Sequence, residues 1–484
     1  MPKINAISLP LPEFVSRLAS LAESRGVPLY LVGGALRDYF LGEKIKDWDL
    51  AGELSLLEGF IGETKKAGYA WFYLDQETRQ IRIILDRETV IDFLPLLPGQ
   101  TIAEDLARRD FTLNAMAFDF NTGELLDPQR GRRDLENRVL RQTSPGVFID
   151  DPVRLLRGLR ISRRLGLELE KVTLRQIKKD AHSLATAAPE RIRDEVFKML
   201  EDDKAFAGVK LLEKTGLFGV LFPEFDSTRG VGVNEEHLFD VYRHSFEVLK
   251  AADRAAKTGL NRFPACSGRL EANFQTEITP GRKRRGLFKL AALLHDLGKP
   301  GTLRWEADGS LSFHGHPHLG GEIAEAVAKR LALSGEETAY LKILIANHMR
   351  PLLLARQGSV SPRARYRLFR DLGEELPDLL LLAAADLKAG MGNKPEKVGE
   401  QAYLELCREL LKEYYHPTRL SSPPKLLNGN QVMGILKLSP GPRVGEILKE
   451  LEELAALGKV QNSGEAEAWV LNHAGSPQNQ QVEK

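Results

Sequence analysis

Residues 29–51, LYLVGGALRDYFLGEKIKDWDLA, decide how the first part of the chain folds. LYLV has the length and β-enrichment of a strand, Gly33-Gly34 makes a turn, ALRDYFL has helical spacing, and DWDLA returns as a strand. Side chains alternate along a strand, so Asp47 and Asp49 fall on one face with Trp48 turned away on the other, outward side. Two carboxylates on one face can share Mg²⁺ ions, whose preferred ligands are oxygens. The glycine pair lets the backbone approach a phosphate closely, and the helix it opens offers free N–H groups, with Arg37 one turn further on. Gly34 and Arg37 are therefore candidate triphosphate ligands.

Outward from this stretch, AWFYL, IRIILD, VIDFLPL and MAFDF add further short strands. Asp92, on VIDFLPL, is a candidate third carboxylate. In EDLARRDFTLNAMAFD, Arg108 and Arg109 precede a helix-like run and offer guanidiniums to phosphates. Asp127 and Asp134, in LLDPQRGRRDLENRVLR, suit a structural role across a glycine-containing turn.

At 484 residues the chain is too long for one core and predicts three or four units. Its 68 basic and 67 acidic residues nearly cancel, so any polyanion site must come from local concentrations of Arg and Lys. No apolar stretch is long enough to span a bilayer, which excludes membrane spans. The two cysteines, Cys266 and Cys407, and an N-terminus without a signal pattern predict a cytoplasmic protein.

From Pro152 the text turns helical. On DPVRLLRGLRISRRLG, Arg157, Arg160 and Arg164 project within about a 60° arc, opposite Leu155, Leu159, Ser162 and Gly166, so one face packs and the other can meet phosphate. Asp151 and Arg154 sit three apart, on one helical face. From about Asn234 to Gly390 the helices hold most of the ten histidines. Residues 252–286, ending Gly281-Arg-Lys-Arg-Arg-Gly286, read as a mobile surface loop whose charges are solvated. The tail beyond a joint at 417–424 carries two amphipathic helices meeting at PGPRVG, with glycine supplying the permissive backbone, and the last dozen residues read as disordered.

The ordered set GGALRD, DWDLA, RRDFTLNAMA, LLDPQRGRRDL, DDPVRLLRGLR and ERIRDEVFKML resembles the class II tRNA nucleotidyltransferases and poly(A) polymerases, members of the DNA polymerase β-like superfamily. The resemblance covers residues 28–225. It implies a multidomain α/β + α protein: a polymerase β-like nucleotidyltransferase head (1–142), an all-helical neck (143–226), an HD domain (227–395) and a helical tRNA-binding tail with a disordered end (396–484). It implies that CTP and ATP are substrates, that tRNA is the partner, and that CMP and/or AMP is added to tRNA 3′ ends without a template. Asp47, Asp49 and Asp92 would be catalytic, the first two as Mg²⁺ ligands; Gly34, Arg37, Arg108, Arg109, Arg157 and Arg160 would bind nucleotide. Asp151 and Arg154 would read the Watson–Crick edge of the base. Position 150 is Asp where the family more often has Glu.

Only FLPLLPGQTIA separates Asp92 from Glu104, whereas many CCA-adding relatives carry a longer loop there; its loss resembles CC-adding specialisation. CCA, CC and A addition, and poly(A) polymerase action, stay open at this point. The order His244, His295-Asp296, Asp386 resembles HD-domain phosphohydrolases, with His316 and His348 as additional ligands of a divalent transition metal. Phosphatase or 2′,3′-cyclic phosphodiesterase action is the implied chemistry. His314 and His318 are left to loop or surface roles, and Asn430 stands where relatives often have an acidic residue.

Overall fold

The computed structural model describes residues 9–232, 240–257, 263–358, 360–391, 398–418 and 420–474. The chain divides into two compact units, Met1–Asp202 with Ala207–Pro223, and Asp203–Phe206 with Glu224–Lys484.

The first unit is built on a seven-stranded sheet: β1 (Leu29–Val32), β2 (Asp47–Gly52), β3 (Ala70–Asp75), β4 (Gln80–Ile84), β5 (Val90–Pro95), β6 (Ala117–Asp119) and β7 (Leu125–Leu126), in the order β3-β4-β5-β2-β1-β6-β7. Only β2 and β5 run parallel, and their register sets Asp49 beside Asp92. One sheet face is apolar: Leu31, Trp48, Leu50, Ile81, Ile83, Ile91 and Phe93 pack with Phe14, Leu18, Leu36 and Phe60 from helices on that side. Each such buried side chain contributes roughly 1.5–3 kcal/mol. A one-residue slip of β2 would drive both aspartates into this core, so burial fixes the carboxylate face. Trp48 corrects the expectation that it turns outward: it is 2% exposed, in the core.

Helices Val153–Leu165, Lys171–Asp180 and Pro189–Leu200 follow in the same unit. Leu155, Leu159 and Ser162 of the first are buried, and Gly166 closes it in the left-handed conformation. Asp151 departs from the sequence expectation. It is extended (φ −149°, ψ 95°) and precedes the helix, because the ring of Pro152, the helix N-cap, disfavours helical backbone in the residue before it. The run after Arg109 is a short 3-10 turn, Thr112–Asn114, rather than a helix.

The second unit is almost wholly helical. Helix Arg284–Leu294 is buried all round apart from Arg285, which marks it as central. It delivers His295 and Asp296 into the interior. The expected mobile loop at 252–286 is instead largely ordered: helix Val241–Lys257 runs into it, helix Ser267–Gln275 and a hairpin (Glu277–Thr279 with Arg282–Lys283) follow, and Arg284 opens the central helix. Residues 258–262 of that segment lie outside the described residues. Its charges are not a solvated run. Arg284 is 6% exposed and pairs with buried Asp378 (3.1 Å), while Arg282 pairs with buried Glu337.

In the tail, helices Gly429–Leu436 and Pro442–Ala456 pack around Val432, Ile447 and Leu451. The left-handed residue between them is Lys437 (φ 53°), not glycine; Gly441 is extended at φ 178°. Residues 475–484, most of the stretch expected to be disordered, lie outside the described residues. No described helix is long and apolar enough to cross a membrane.

Candidate active site

The polar face of the sheet opens on a cleft of about 690 Å³ within the first unit. Its lining includes Asp47, Asp49, Asp92 and Arg82 from the sheet, Arg37, Asp110 and Asn114, and Arg157, Arg160, Arg164, Glu195 and Lys198 from the later helices. Gly34, Arg108, Arg109, Asp151 and Arg154 are not among the lining residues.

Asp49 is the most constrained carboxylate. Burial above all, with Asp92 and Asp47 adding to it against the opposing pull of Arg109, pushes it up to about 6. Crowded carboxylates held out of water call for positive charge, which a divalent cation supplies. Gly33 makes the approach possible: it caps helix Gly34–Leu41 at φ 75°, and a Cβ there would stand 2.6 Å from Asp49 Oδ2. Arg37 is oriented by Asp38 Oδ1 (2.8 Å) and Asn114 Oδ1 (2.9 Å). Buried Asp110 in turn accepts from Asn114 Nδ2 (2.9 Å). Arg108 is exposed, and its carbonyl accepts from Arg154 Nη1 (3.1 Å). Arg109 pairs with Asp105 and approaches the Gly33 position.

Asp151 and Arg154 do meet, at 3.6 Å, although only Arg154 is on the helix. Arg191 donates to Asp151 Oδ2 at 2.8 Å, while the buried Oδ1 has no hydrogen-bond partner among the described residues. The arginine face of the helix is partly engaged. Glu195, 3% exposed, accepts from Arg160 Nε at 2.6 Å and lies 3.9 Å from Arg157, which also reaches Asp110 at 3.5 Å. Burial works against the Glu195 carboxylate, but the Arg160 hydrogen bond and its charge hold it below the usual range.

Three of these residues, Arg82, Arg191 and Glu195, escaped the sequence reading. Arg82 was findable: it alternates with Ile81 and Ile83, so it shares the aspartates' face. Glu195 and Arg191 act across 35 and 40 residues, and no local signal marks them.

Structural roles at the other two aspartates are plain. Asp127 accepts from the Gly131 and Arg132 backbone N–H groups (2.6 and 3.0 Å), and Asp134 accepts from Thr112 Oγ1 (2.8 Å) and Arg141 Nε (3.0 Å).

In the second unit, His244, His295 and Asp386 form one group and His295, Asp296 and His348 another, each with ligand atoms within 4.8 Å of one another. His316 Nε2 lies 3.3 Å from His348 Nε2 and 3.4 Å from Asp296. The rings of His295, His316 and His348 point Nδ1 at the carbonyls of Ala292, Phe313 and Ile345 (3.0, 2.8 and 2.7 Å). A carbonyl only accepts, so each Nδ1 carries a hydrogen and each Nε2 turns inward; on His316 and His348, where burial disfavours the charged ring, that Nε2 presents a lone pair, as a metal ligand does. Burial and the neighbouring His295 push His348 down to about 4. Burial also opposes charge on His295, yet Asp296 and Asp386 outweigh it and raise it to about 10. Lys299, missed in the sequence three residues beyond Asp296, places Nζ 2.6 Å from Asp296 Oδ2. His314 and His318 are exposed, as expected.

Three family models match the chain: a poly A polymerase head domain at residues 29–141, a probable RNA and SrmB-binding site of polymerase A at 166–228, and an HD domain at 241–389. An A-adding tRNA nucleotidyltransferase of Deinococcus radiodurans is 35% identical over 450 residues, covering 92% of this chain and 95% of that one. The chain belongs to the tRNA nucleotidyltransferase family. Another member of the family, a CC-adding tRNA nucleotidyltransferase of Geobacter sulfurreducens, is 31% identical over 479 residues, 96% of each chain. A CCA-adding enzyme solved with CTP shares the fold at a TM-score of 0.63 and 22% identity over 96% of each chain. Family membership makes the chain an enzyme, with a mixed α/β head followed by helical regions and an HD domain.

Proposed function

We propose that the protein extends tRNA 3′ ends with CMP, taking CTP without a template, and that the carboxylates and arginines lining one cleft carry this activity. Asp47 and Asp49 would hold Mg²⁺, which when bound lowers the pKa of the attacking 3′ hydroxyl and neutralises charge on the departing pyrophosphate. Gly34 and Arg37, at the N-terminus of their helix, would take phosphate oxygens, with Arg108, Arg109, Arg157 and Arg160 adding positive charge. Asp151, its Oδ1 unpartnered and its Oδ2 held by Arg191, would accept from the exocyclic amine of the base, and Arg154 would donate to the same edge. Discrimination on this model rests on protein hydrogen bonds alone.

CC addition is favoured by the short connection after Asp92: β5 ends at Pro95 and the next helix opens at Ile102, stapled by a capping box between Thr101 and Glu104. Addition of A is the second reading, supported by the 35% identity to the Deinococcus radiodurans enzyme. Purified protein given tRNAs ending before C74, C75 or A76, with CTP and ATP separately, decides between them by sequencing the products. Long A tails on generic RNA would sink both in favour of poly(A) polymerase.

We assign four parts to the chain, a head (1–142), neck (143–226), HD domain (227–395) and tRNA-gripping tail (396–484). The HD cluster would bind a divalent transition metal through His244, His295, Asp296, His316, His348 and Asp386 and hydrolyse phosphoesters such as a 2′,3′-cyclic phosphate. Metal analysis and a cyclic-phosphate assay test this, and wild-type rates in His295→Ala would reject it. A cytoplasmic location fits the two free cysteines, Cys266 and Cys407.

A further inference from the structure

Asp92 shares a sheet face with Asp47 and Asp49, yet its surroundings differ from theirs. Arg82, directly opposite on β4, donates Nε to Oδ1 at 2.8 Å and Nη2 to Oδ2 at 2.7 Å. This parallel fork occupies both carboxylate oxygens with charge-assisted bonds, roughly twice as strong as neutral ones. Among the described residues, neither Asp47 nor Asp49 makes an ion pair within 4 Å. A cation therefore finds those two carboxylates without a counter-charge in contact, whereas Asp92 already has one in Arg82.

The guanidinium has five N–H groups, and the fork uses two. Among the described residues the other three have no partner, on a side chain that is 37% exposed and lines the cleft, while Asp92 is 13% exposed beneath it. Arg157 and Arg160, which line the same cleft, already spend charge on Glu195 and Asp110. Arg82 thus pairs a fixed orientation with free donors.

We propose that Arg82 is a nucleotide-binding residue that holds the non-reacting phosphates of the incoming triphosphate, and that Asp92 is a positioning residue aiming it rather than a third metal ligand. The inference rests on the nucleotidyl-transfer reading of the cleft. It divides the three carboxylates by role: two bind the cation and one sets an arginine.

The test uses the full chain and two binding measurements besides turnover: Mn²⁺ alone, followed by electron paramagnetic resonance, and equilibrium binding of CTP and CMP. Arg82→Ala is expected to weaken CTP about 10- to 100-fold, the loss of a charged hydrogen-bonding group, and CMP less than about threefold. Asp92→Asn, whose amide oxygen can accept only part of the fork, is expected to weaken CTP about tenfold while leaving Mn²⁺ affinity within about threefold. In the double variant the CTP losses are expected not to add, because both act through one side chain. Loss of Mn²⁺ binding in Asp92→Asn as complete as in Asp49→Asn would overturn the proposal, as would unchanged CTP affinity in Arg82→Ala. Retention of both Mn²⁺ binding and transfer in Asp49→Asn would instead sink the underlying reading of the cleft.

Discussion

Replacing Gly33 by alanine tests how closely the turn before helix Gly34–Leu41 sets the Asp49 carboxylate. A Cβ at this position would stand 2.6 Å from Asp49 Oδ2, whereas ordinary contact begins at 3.4 Å, so something must move by about 0.8 Å. Arg109 Nη1, at 3.1 Å from the same point, blocks part of the space into which Asp49 could turn. The backbone adds strain, since φ 75° with ψ −140° is a conformation kept essentially to glycine and costs an L-residue about 1–3 kcal/mol. Misplacing a reacting group by about 1 Å costs about 100-fold in rate, equivalent to about 2.7 kcal/mol of barrier. Gly33→Ala is therefore expected to lower kcat/KM for CTP incorporation about 100-fold, mostly in kcat, while the melting temperature falls by only a few degrees. Steady-state kinetics on a tRNA ending before C74, with a thermal melt in parallel, supply both numbers. A kcat/KM within about threefold of the parent would refute the argument that Gly33 exists to make room for Asp49.

Gly131→Ala should act on folding rather than on rate: its Cβ would meet the Thr112 carbonyl oxygen at 2.0 Å, and backbone cannot swing aside as a side chain can. A loss of about 3 kcal/mol is expected in the first unit, read from denaturant unfolding. In the second unit, His295→Ala should remove bound divalent metal, measured by elemental analysis, yet leave nucleotidyl transfer within about threefold. Glu337 supplies a pH test. Burial opposes its charge, but Arg282, the Ser334 N–H and Thr279 hold its carboxyl below the usual range. A depressed folded value means its stabilisation is complete above the unfolded value near 4.5 and is lost as pH falls through the folded one. Acid unfolding of the second unit should accordingly steepen below about pH 4.5 and flatten in Glu337→Gln.

What could be read in advance follows the range over which each interaction acts. Asp47, Asp49 and Asp92 were legible because strand alternation is local and the parallel pairing of β2 with β5 keeps all three on one face. The arginine side of helix Val153–Leu165 was legible for the same reason, through the helical period. Asp151 was misplaced by treating that period as continuous across Pro152. The charges at 281–286 were misread because their partners, Glu337 and Asp378, are 55 and 94 residues away, and an arginine next to a buried carboxylate has the same local sequence as one in water. Lys437 shows a related limit: the left-handed residue of the tail turn was sought among nearby glycines, while the chain placed it on a lysine.

The measurement that bears most directly on the central claim is incorporation of labelled CMP into a tRNA ending before C74 by wild-type protein and by Asp49→Ala, with tRNA binding measured alongside. Robust C addition is expected from the wild type and none from the variant, with the same tRNA affinity for both. Undiminished turnover in Asp49→Ala would contradict the claim.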